Sequence, residues 1–213
     1  MAALETRLLV LGAVATFEPV NGYQIRRELL SWGVEEWAHI KPGSIYSSLS
    51  TLTGQGVLER HDLDDAGRSV AVYTVTEAGR QELTRLFSIA LESVDLLAPL
   101  AFQTALTLIP LIERETFLGH ARRRLANMDG WSIVTGQVPE GADTAPPHIP
   151  AVFELWETVG RAERQWLIDF IGRVEAGEFM FAGEPSDWLP PDDDPGWQMA
   201  ADRTRYLKLL GRS

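Results

Sequence analysis

Hydroxyl side chains crowd one short stretch of this sequence, residues 42–53, and they are the residues best placed to bind a polar ligand. The stretch reads Pro42-Gly43-Ser44-Ile45-Tyr46-Ser47-Ser48-Leu49-Ser50-Thr51-Leu52-Thr53. Proline suits the first helical turn, and Ile45, Leu49 and Leu52 recur at helical spacing as an inward stripe. The opposite face then carries Ser44, Ser47, Ser50 and Thr51, with Tyr46 and Ser48 flanking them.

Small hydroxyls let another surface approach closely and donate hydrogen bonds to phosphates and base edges. A solvent-facing helix usually carries Glu and Lys there instead. The stretch is therefore typical of a helix that reads nucleic acid. The alternative is an ordinary amphipathic helix that happens to be rich in serine.

Two further helices precede this stretch. Leu4, Leu8 and Leu11 predict a first helix over residues 3–17, which the Glu18-Pro19 step ends because a residue before proline disfavours helix. Asn21 is a suitable cap for a second helix, and Gln24 lies at the capping-box position three residues later. The hydroxyl stretch is thus the third helix of the chain.

Two strands follow, and together they complete a recognisable pattern. Residues 56–60 and 70–75 are rich in strand formers, and residues 62–68 between them contain a glycine turn signal. Thr76 is suited to cap the next helix. Three helices followed by a hairpin predict a winged helix-turn-helix.

The same residues resemble the PadR family of bacterial transcriptional regulators. The resemblance runs over residues 4–83 and rests on four motifs: Val20-Asn21-Gly22-Tyr23-Gln24-Ile25, Pro42-Gly43-Ser44-Ile45-Tyr46 with Leu49 and Leu52, Gly56-Val57-Leu58, and Tyr73-Thr74-Val75-Thr76-Glu77-Ala78-Gly79. It implies a homodimeric repressor that binds a promoter and is often released by a small, frequently aromatic effector.

The resemblance also implies roles for single residues. The helix from Ser44 to Thr53 is similar to the family's major-groove reader, and Tyr46 to its phosphate-contacting tyrosine, although a packing aromatic is the alternative. Lys41 and His39 precede the helix, and Lys41 is favoured because it stays charged. We therefore expect the DNA contacts to be Arg26, Arg27, Lys41, Ser44, Tyr46, Ser47, Ser48, Thr51 and Arg68.

Negative charge argues against such a partner. The formal net charge is -11, and residues 1–80 hold seven Lys or Arg against ten Asp or Glu. The predicted loop of the wing, residues 62–68, carries Asp62, Asp64 and Asp65 with Arg68 as its only cation, whereas relatives often have several basic residues between the two strands. Because carboxylates repel phosphates, either the wing lies clear of DNA or binding is weak and unusually salt-sensitive.

The rest of the chain predicts helices. A stripe from Leu83 to Leu97 extends to Pro99, and residues 100–109 are apolar nearly all round, which favours burial against a second subunit. Residues 117–128 form another amphipathic pattern. Its outer face would bear Arg122, Arg123 and Arg124, which we interpret as solvated or paired with acidic neighbours.

A second subunit is also indicated further along. Residues 136–150 contain four prolines and predict a loop, after which apolar residues recur over 152–174 in a coiled-coil-like pattern. We expect this to be the main dimerisation helix. Paired recognition helices would then lie about 34 Å apart and read a palindromic operator in double-stranded DNA.

Tryptophans of the C-terminal half could form an effector site. Trp131, Trp156 and Trp166 lie near the expected dimer core, and aromatic walls favour planar apolar ligands. The alternative is that each tryptophan simply packs. Beyond them, residues 182–198 are turn-rich and acidic, and a short helix is expected from Met199 to Leu210.

Several classes of function find no support. The chain has no cysteine, its four histidines lack metal-ligand spacing, and no nucleophile motif or phosphate loop is present, so we expect no enzyme, metal or cofactor. The N-terminus lacks the order of a signal peptide, and no apolar run is long enough to cross a bilayer. We expect a cytoplasmic protein without a membrane partner.

The predicted fold is mainly α with a small β-hairpin, an N-terminal winged helix-turn-helix followed by an all-α dimerisation domain. We place the boundaries at 1–80 for DNA binding, 81–181 for dimerisation and effector binding, and 182–213 for the acidic segment and last helix. Two other functions stay open: a winged-helix module that binds protein instead of DNA, and a small-molecule sensor.

Overall fold

The structure is a computed structural model that describes residues 4–96, 98–130, 146–185 and 189–212. It divides into two compact units. The first unit combines residues 1–87 with residues 185–213, and the second comprises residues 88–184. The last residues of the chain therefore pack with the first ones.

Helix α1, Leu4–Phe17, is the centre of the first unit because every residue from Leu8 to Val14 is buried. A two-residue strand β1, Val20–Asn21, follows and was not expected from the sequence. Helices α2, Gly22–Ser31, and α3, Val34–Trp37, come next. The predicted capping box at the start of α2 is confirmed.

Helix α4, Pro42–Gly54, is the predicted hydroxyl-bearing helix. Proline occupies its first turn, and Ile45, Leu49 and Leu52 are buried as expected. Helices α1 and α2 both pack against α4. Because α1 and α2 cover part of the surface of α4, only the remaining face of α4 is exposed to a binding partner.

The wing is longer than the sequence predicts. Strands β2, Leu58–Asp65, and β3, Arg68–Val75, pair antiparallel along their full length, and β1 adds to β3 to give the order β1-β3-β2. The expected loop over residues 62–68 is wrong, because only Ala66 and Gly67 turn the chain. Both have positive φ, 55° and 84°, as a tight two-residue hairpin turn requires.

Helix α5, Glu77–Glu92, starts at the predicted cap, where the Thr76 hydroxyl accepts a hydrogen bond from the Gly79 amide at 3.0 Å. The helix ends at Glu92 and does not extend to Pro99 as expected. Gly79 is required by packing, because a Cβ there would lie 2.2 Å from the carbonyl oxygen of Val57.

Three helices form most of the second unit: α6, Leu100–Thr107, α7, Arg114–Asp129, and α8, His148–Glu175. Helices α7 and α8 pack together, and the rings of Phe170 and Phe181 flank Phe117 at centroid distances of 5.9 and 5.4 Å. The predicted loop over 136–150 falls mainly outside the described residues, and its last three residues belong to α8.

Helix α9, Gly196–Leu209, confirms the expected last helix and lies against α1, β1 and β2 of the first unit. The autonomy of the three predicted domains stays a prediction. Within the described ranges, no helix is long and apolar enough to cross a membrane, and no group of His, Asp or Glu could hold a metal ion.

Candidate nucleic-acid interface

The exposed face of α4 carries most of the predicted hydroxyls. Ser44, Ser47 and Thr51 are exposed. The Ser47 hydroxyl donates to the carbonyl oxygen of Gly43 at 3.1 Å, and the Thr51 hydroxyl donates to that of Ser47 at 2.8 Å. Each oxygen keeps its lone pairs, so both side chains present hydrogen-bond acceptors to a partner that lies against this face.

Ser48 does not share that face. It is only 5% exposed, and with Arg7, Thr51, Leu52 and Leu86 it lies in the wall of a cavity of about 390 Å³. The expectation that Ser48 contacts DNA is therefore corrected. Because α1 and α2 cover α4 from two sides, its buried stripe is wider than the apolar spacing alone predicts.

Tyr46 is half-exposed, with 46% of its surface accessible, and its ring rests on the start of α2. A Cβ added to Gly22 would lie 3.2 Å from Cε1 of Tyr46, so glycine makes room for the ring. Within the part of the chain that the structure describes, the Tyr46 hydroxyl forms no hydrogen bond. The ring packs and the hydroxyl stays available.

The predicted cations differ in their availability. Lys41 is exposed immediately before α4, and Arg68 is exposed at the turn of the wing. Neither these two nor Arg26 forms an ion pair with any described residue. Arg27 is engaged instead, since its guanidinium donates to Glu28 at 2.8 Å and to the carbonyl oxygen of Pro195 at 3.2 Å. Arg27 is thus poorly placed to bind phosphate.

All three wing carboxylates have partners. Asp62 pairs with Arg60 at 2.7 Å, Asp64 accepts a hydrogen bond from the Gly67 amide at 2.7 Å, and Asp65 pairs with Arg205 of α9 at 3.0 Å. The hydrogen bond and the charge of Asp62 raise the pKa of Arg60. The sequence alone does not show these two ion pairs, because Arg60 lies on the strand itself and Arg205 lies far along the chain.

Two of the predicted effector tryptophans lie on α8, and they do not share one pocket. Trp166 stacks on Phe170 at 4.7 Å and meets Phe102 edge-on at 6.0 Å. It lines an apolar cavity of about 470 Å³, together with Leu96, Pro99, Phe102, Gln103, Leu106, Val159, Ala162 and Glu163. Trp156 contacts Phe153 and is not in that wall. Trp131 lies outside the described residues.

The three consecutive arginines of α7, residues 122–124, are all paired, as their acidic neighbours suggested. Arg122 pairs with Glu175 and Arg123 with Glu92, both near the surface. Arg124 is different, because its side chain is fully buried. The expectation of a uniformly outward arginine face is therefore wrong for Arg124, which packs over the ring of Phe102.

A match to a protein-family model supports the resemblance seen in the motifs. Residues 10–85 match the Transcriptional regulator PadR-like family. The solved structure of Bacillus subtilis PadR in complex with operator DNA aligns with 82% of this chain and 98% of its own, at 17% identity and a TM-score of 0.34. No curated protein matches the chain.

Proposed function

We propose that this chain, whose residues 10–85 match the Transcriptional regulator PadR-like family, acts in the cytoplasm as a homodimeric, DNA-binding repressor of transcription. In this proposal α4 enters the major groove of a palindromic operator. The observation that carries it is the exposed face of α4, which presents Ser44, Ser47 and Thr51. Beside them lie the Lys41 ammonium and the Tyr46 hydroxyl, which have no ion-pair or hydrogen-bond partner among the described residues.

Each of these groups suits one part of a duplex. The Lys41 ammonium and the Tyr46 hydroxyl are donors for phosphate oxygens, which fix the register of a protein on DNA. The serine and threonine hydroxyls lie further along the same face and suit base edges. Arg26 and Arg68 add two cations that form no ion pair within the described part of the chain.

The acidic wing argues less strongly against DNA binding than its sequence indicates. Arginine pairing offsets part of the wing's negative charge, because Asp62 pairs with Arg60 and Asp65 with Arg205. Asp64 keeps its charge, since its partner is the neutral Gly67 amide. The two ion pairs reduce the repulsion that a phosphate would meet. They also weaken the case for a module that binds only protein.

A dimer is supported by a stripe on α8 that the second unit does not cover. Leu155 is 60% exposed, Val159 43% and Trp166 40%, and the three recur at steps of four and seven residues. Heptad-spaced apolar residues on a helix of 28 residues typically pair with another helix. We assign this stripe to the second subunit.

An effector role is supported by the cavity that Trp166 lines. The cavity is mostly apolar, and stacked aromatic rings form one side of it, which suits a planar aromatic ligand. Val159 and Trp166 belong to both the cavity and the α8 stripe, so a ligand there would lie at the proposed dimer seam. It would change DNA binding if it favoured one arrangement of the dimer over another.

Fluorescence anisotropy with DNA from upstream of the protein's own gene tests the DNA contacts. Lys41→Ala should weaken binding on every sequence and reduce the steepness of log K against log salt by about two, because the dimer loses one phosphate contact from each subunit. Tyr46→Phe should weaken binding while retaining the packed ring. Arg122→Ala removes an equally exposed cation from the other unit and should leave binding unchanged.

Dimerisation must stay intact in these variants for the result to count. If Lys41→Ala and Tyr46→Phe bind like the parent protein, the assignment of both residues to the interface is wrong. If the parent binds no DNA, the proposed function itself fails.

Light scattering after size exclusion tests the α8 stripe. Leu155→Glu places a charge in the proposed apolar seam and should shift the protein from dimer to monomer. Leu189→Glu is the matched control, because Leu189 is 73% exposed and lies outside the stripe. A dimer that survives Leu155→Glu would place the interface elsewhere.

A further inference from the structure

Helix α9 lies outside residues 10–85, the segment that carries the family match, yet it packs onto that segment. Its polar contacts fall into two sets. One set is with the start of α2, and the other is with the tip of the wing. A tail that only completed the fold would have no need to hold both.

The contacts at α2 are buried and specific. The Gln24 side chain, which closes the capping box of α2, donates to Asp202 at 2.8 Å, and Asn21 donates to the Tyr206 hydroxyl at 3.1 Å. Asp202 and Tyr206 are 9% and 2% exposed. Because a buried carboxylate is costly without donors, these bonds define a single docked position for α9.

Asp202 is linked to the wing through Arg205. Arg205 donates to Asp202 at 2.8 Å and pairs with Asp65 at 3.0 Å, so one guanidinium bridges α9 and the wing tip. Asp65 is also the cross-strand partner of Arg68 at the hairpin turn. Arg68, which forms no ion pair with any described residue, therefore lies next to Asp65, whose carboxylate is already paired with Arg205.

We propose that α9 is a brace for the DNA reader and that Arg205 is its positioning residue. By holding Asp65 and offsetting part of its charge, Arg205 keeps the wing tip in place and leaves Arg68 available to bind a phosphate. Residues 196–212 support this role with four cations and one carboxylate, in contrast to the acidic chain as a whole. The inference rests on the proposed function, since it concerns the same DNA.

Without Arg205, the Asp65 carboxylate would turn to its neighbour Arg68. DNA would then lose a contact with Arg68 and meet an additional negative charge. An exposed charge pair contributes only modestly, so we expect Arg205→Gln to weaken DNA binding about threefold to fivefold for each subunit of the dimer. Arg205→Lys, which retains the charge, should restore most of the loss.

The decisive test is rescue in the same anisotropy assay. If Arg205 acts through Asp65, then Asp65→Asn should restore binding in an Arg205→Gln background, because no carboxylate remains to capture Arg68. Lys208→Gln removes another exposed α9 cation and should bind like the parent. Unchanged binding in Arg205→Gln, failure of the rescue, or an equal loss in Lys208→Gln would each overturn the inference.

Hydrogen exchange provides a readout that needs no DNA. Amides of residues 64–68 should exchange faster in Arg205→Gln than in the parent, while those of α4 stay unchanged. Unchanged exchange at the wing would overturn the brace. A parent protein that binds no DNA but loses wing protection in Arg205→Gln would refute the proposed function and leave the brace standing.

Discussion

Arg124 is the side chain of the second unit whose loss we expect to cost most. Its guanidinium is fully buried, donates to Glu163 at 3.0 and 2.5 Å, and lies 3.8 Å from the ring centre of Phe102. It also donates to the carbonyl oxygen of Ser93. Arg124→Ala would leave the carboxylate of Glu163, only 15% exposed, with no compensating charge.

Breaking a buried ion pair from one side typically destabilises a protein by about 3–5 kcal/mol. The carbonyl of Ser93 would lose a donor, and the ring of Phe102 would lose its packed neighbour. We therefore expect Arg124→Ala to lower the free energy of unfolding of the helical unit by about 3 kcal/mol or more. The measurement is urea unfolding followed by tryptophan fluorescence.

Arg122→Ala is the matched control, on the same helix and two residues away. Its pair with Glu175 is about half exposed on both sides, so its loss should cost about 1 kcal/mol or less. Replacing both members of the buried pair, as in Arg124→Met with Glu163→Leu, should recover much of the loss. Equal effects of Arg122→Ala and Arg124→Ala would refute the reasoning.

Two other predictions concern the first unit. Gly79→Ala forces a Cβ against the carbonyl oxygen of Val57 and should lower the free energy of unfolding by about 1–3 kcal/mol, measured by calorimetry. The control is Gly172→Ala in α8, where a Cβ meets no atom within 4 Å, and it should raise the free energy of unfolding by up to about 1 kcal/mol. Hydrogen bonds from Arg85 and then Arg7 outweigh burial and hold the pKa of Glu82 below its ordinary value. The ionised side chain therefore stabilises the fold above the ordinary pKa of a glutamate, and the advantage of the parent over Glu82→Gln should vanish as pH falls through the lowered pKa. A constant difference down to low pH, or a stable Gly79→Ala, would contradict these assignments.

Local features of the first unit could be predicted from the sequence. The inward stripe of α4, the cap at Asn21 and the cap at Thr76 each depend on residues within one or two helical turns. Physical rules that operate over such short distances can be read from spacing alone. The exposed positions Ser44 and Thr51 of the candidate interface followed from the same periodicity.

Features that depend on distant partners could not be predicted. The pairing of Asp65 with Arg205 joins residues 140 positions apart, so the wing looked more repulsive in the sequence than it is in the fold. Ser48 and Arg124 are buried because neighbouring elements cover their sides of the helix. Nothing within their own helices shows this.

The central claim is that this chain binds a particular DNA sequence. The most direct measurement is anisotropy with duplex DNA from upstream of its own gene and with a scrambled duplex of equal length, each titrated at several salt concentrations. We predict tight binding to the upstream duplex, much weaker binding to the scrambled duplex, and a steep loss of affinity as the salt concentration rises. Equal affinity for both duplexes, or binding to neither, would contradict it.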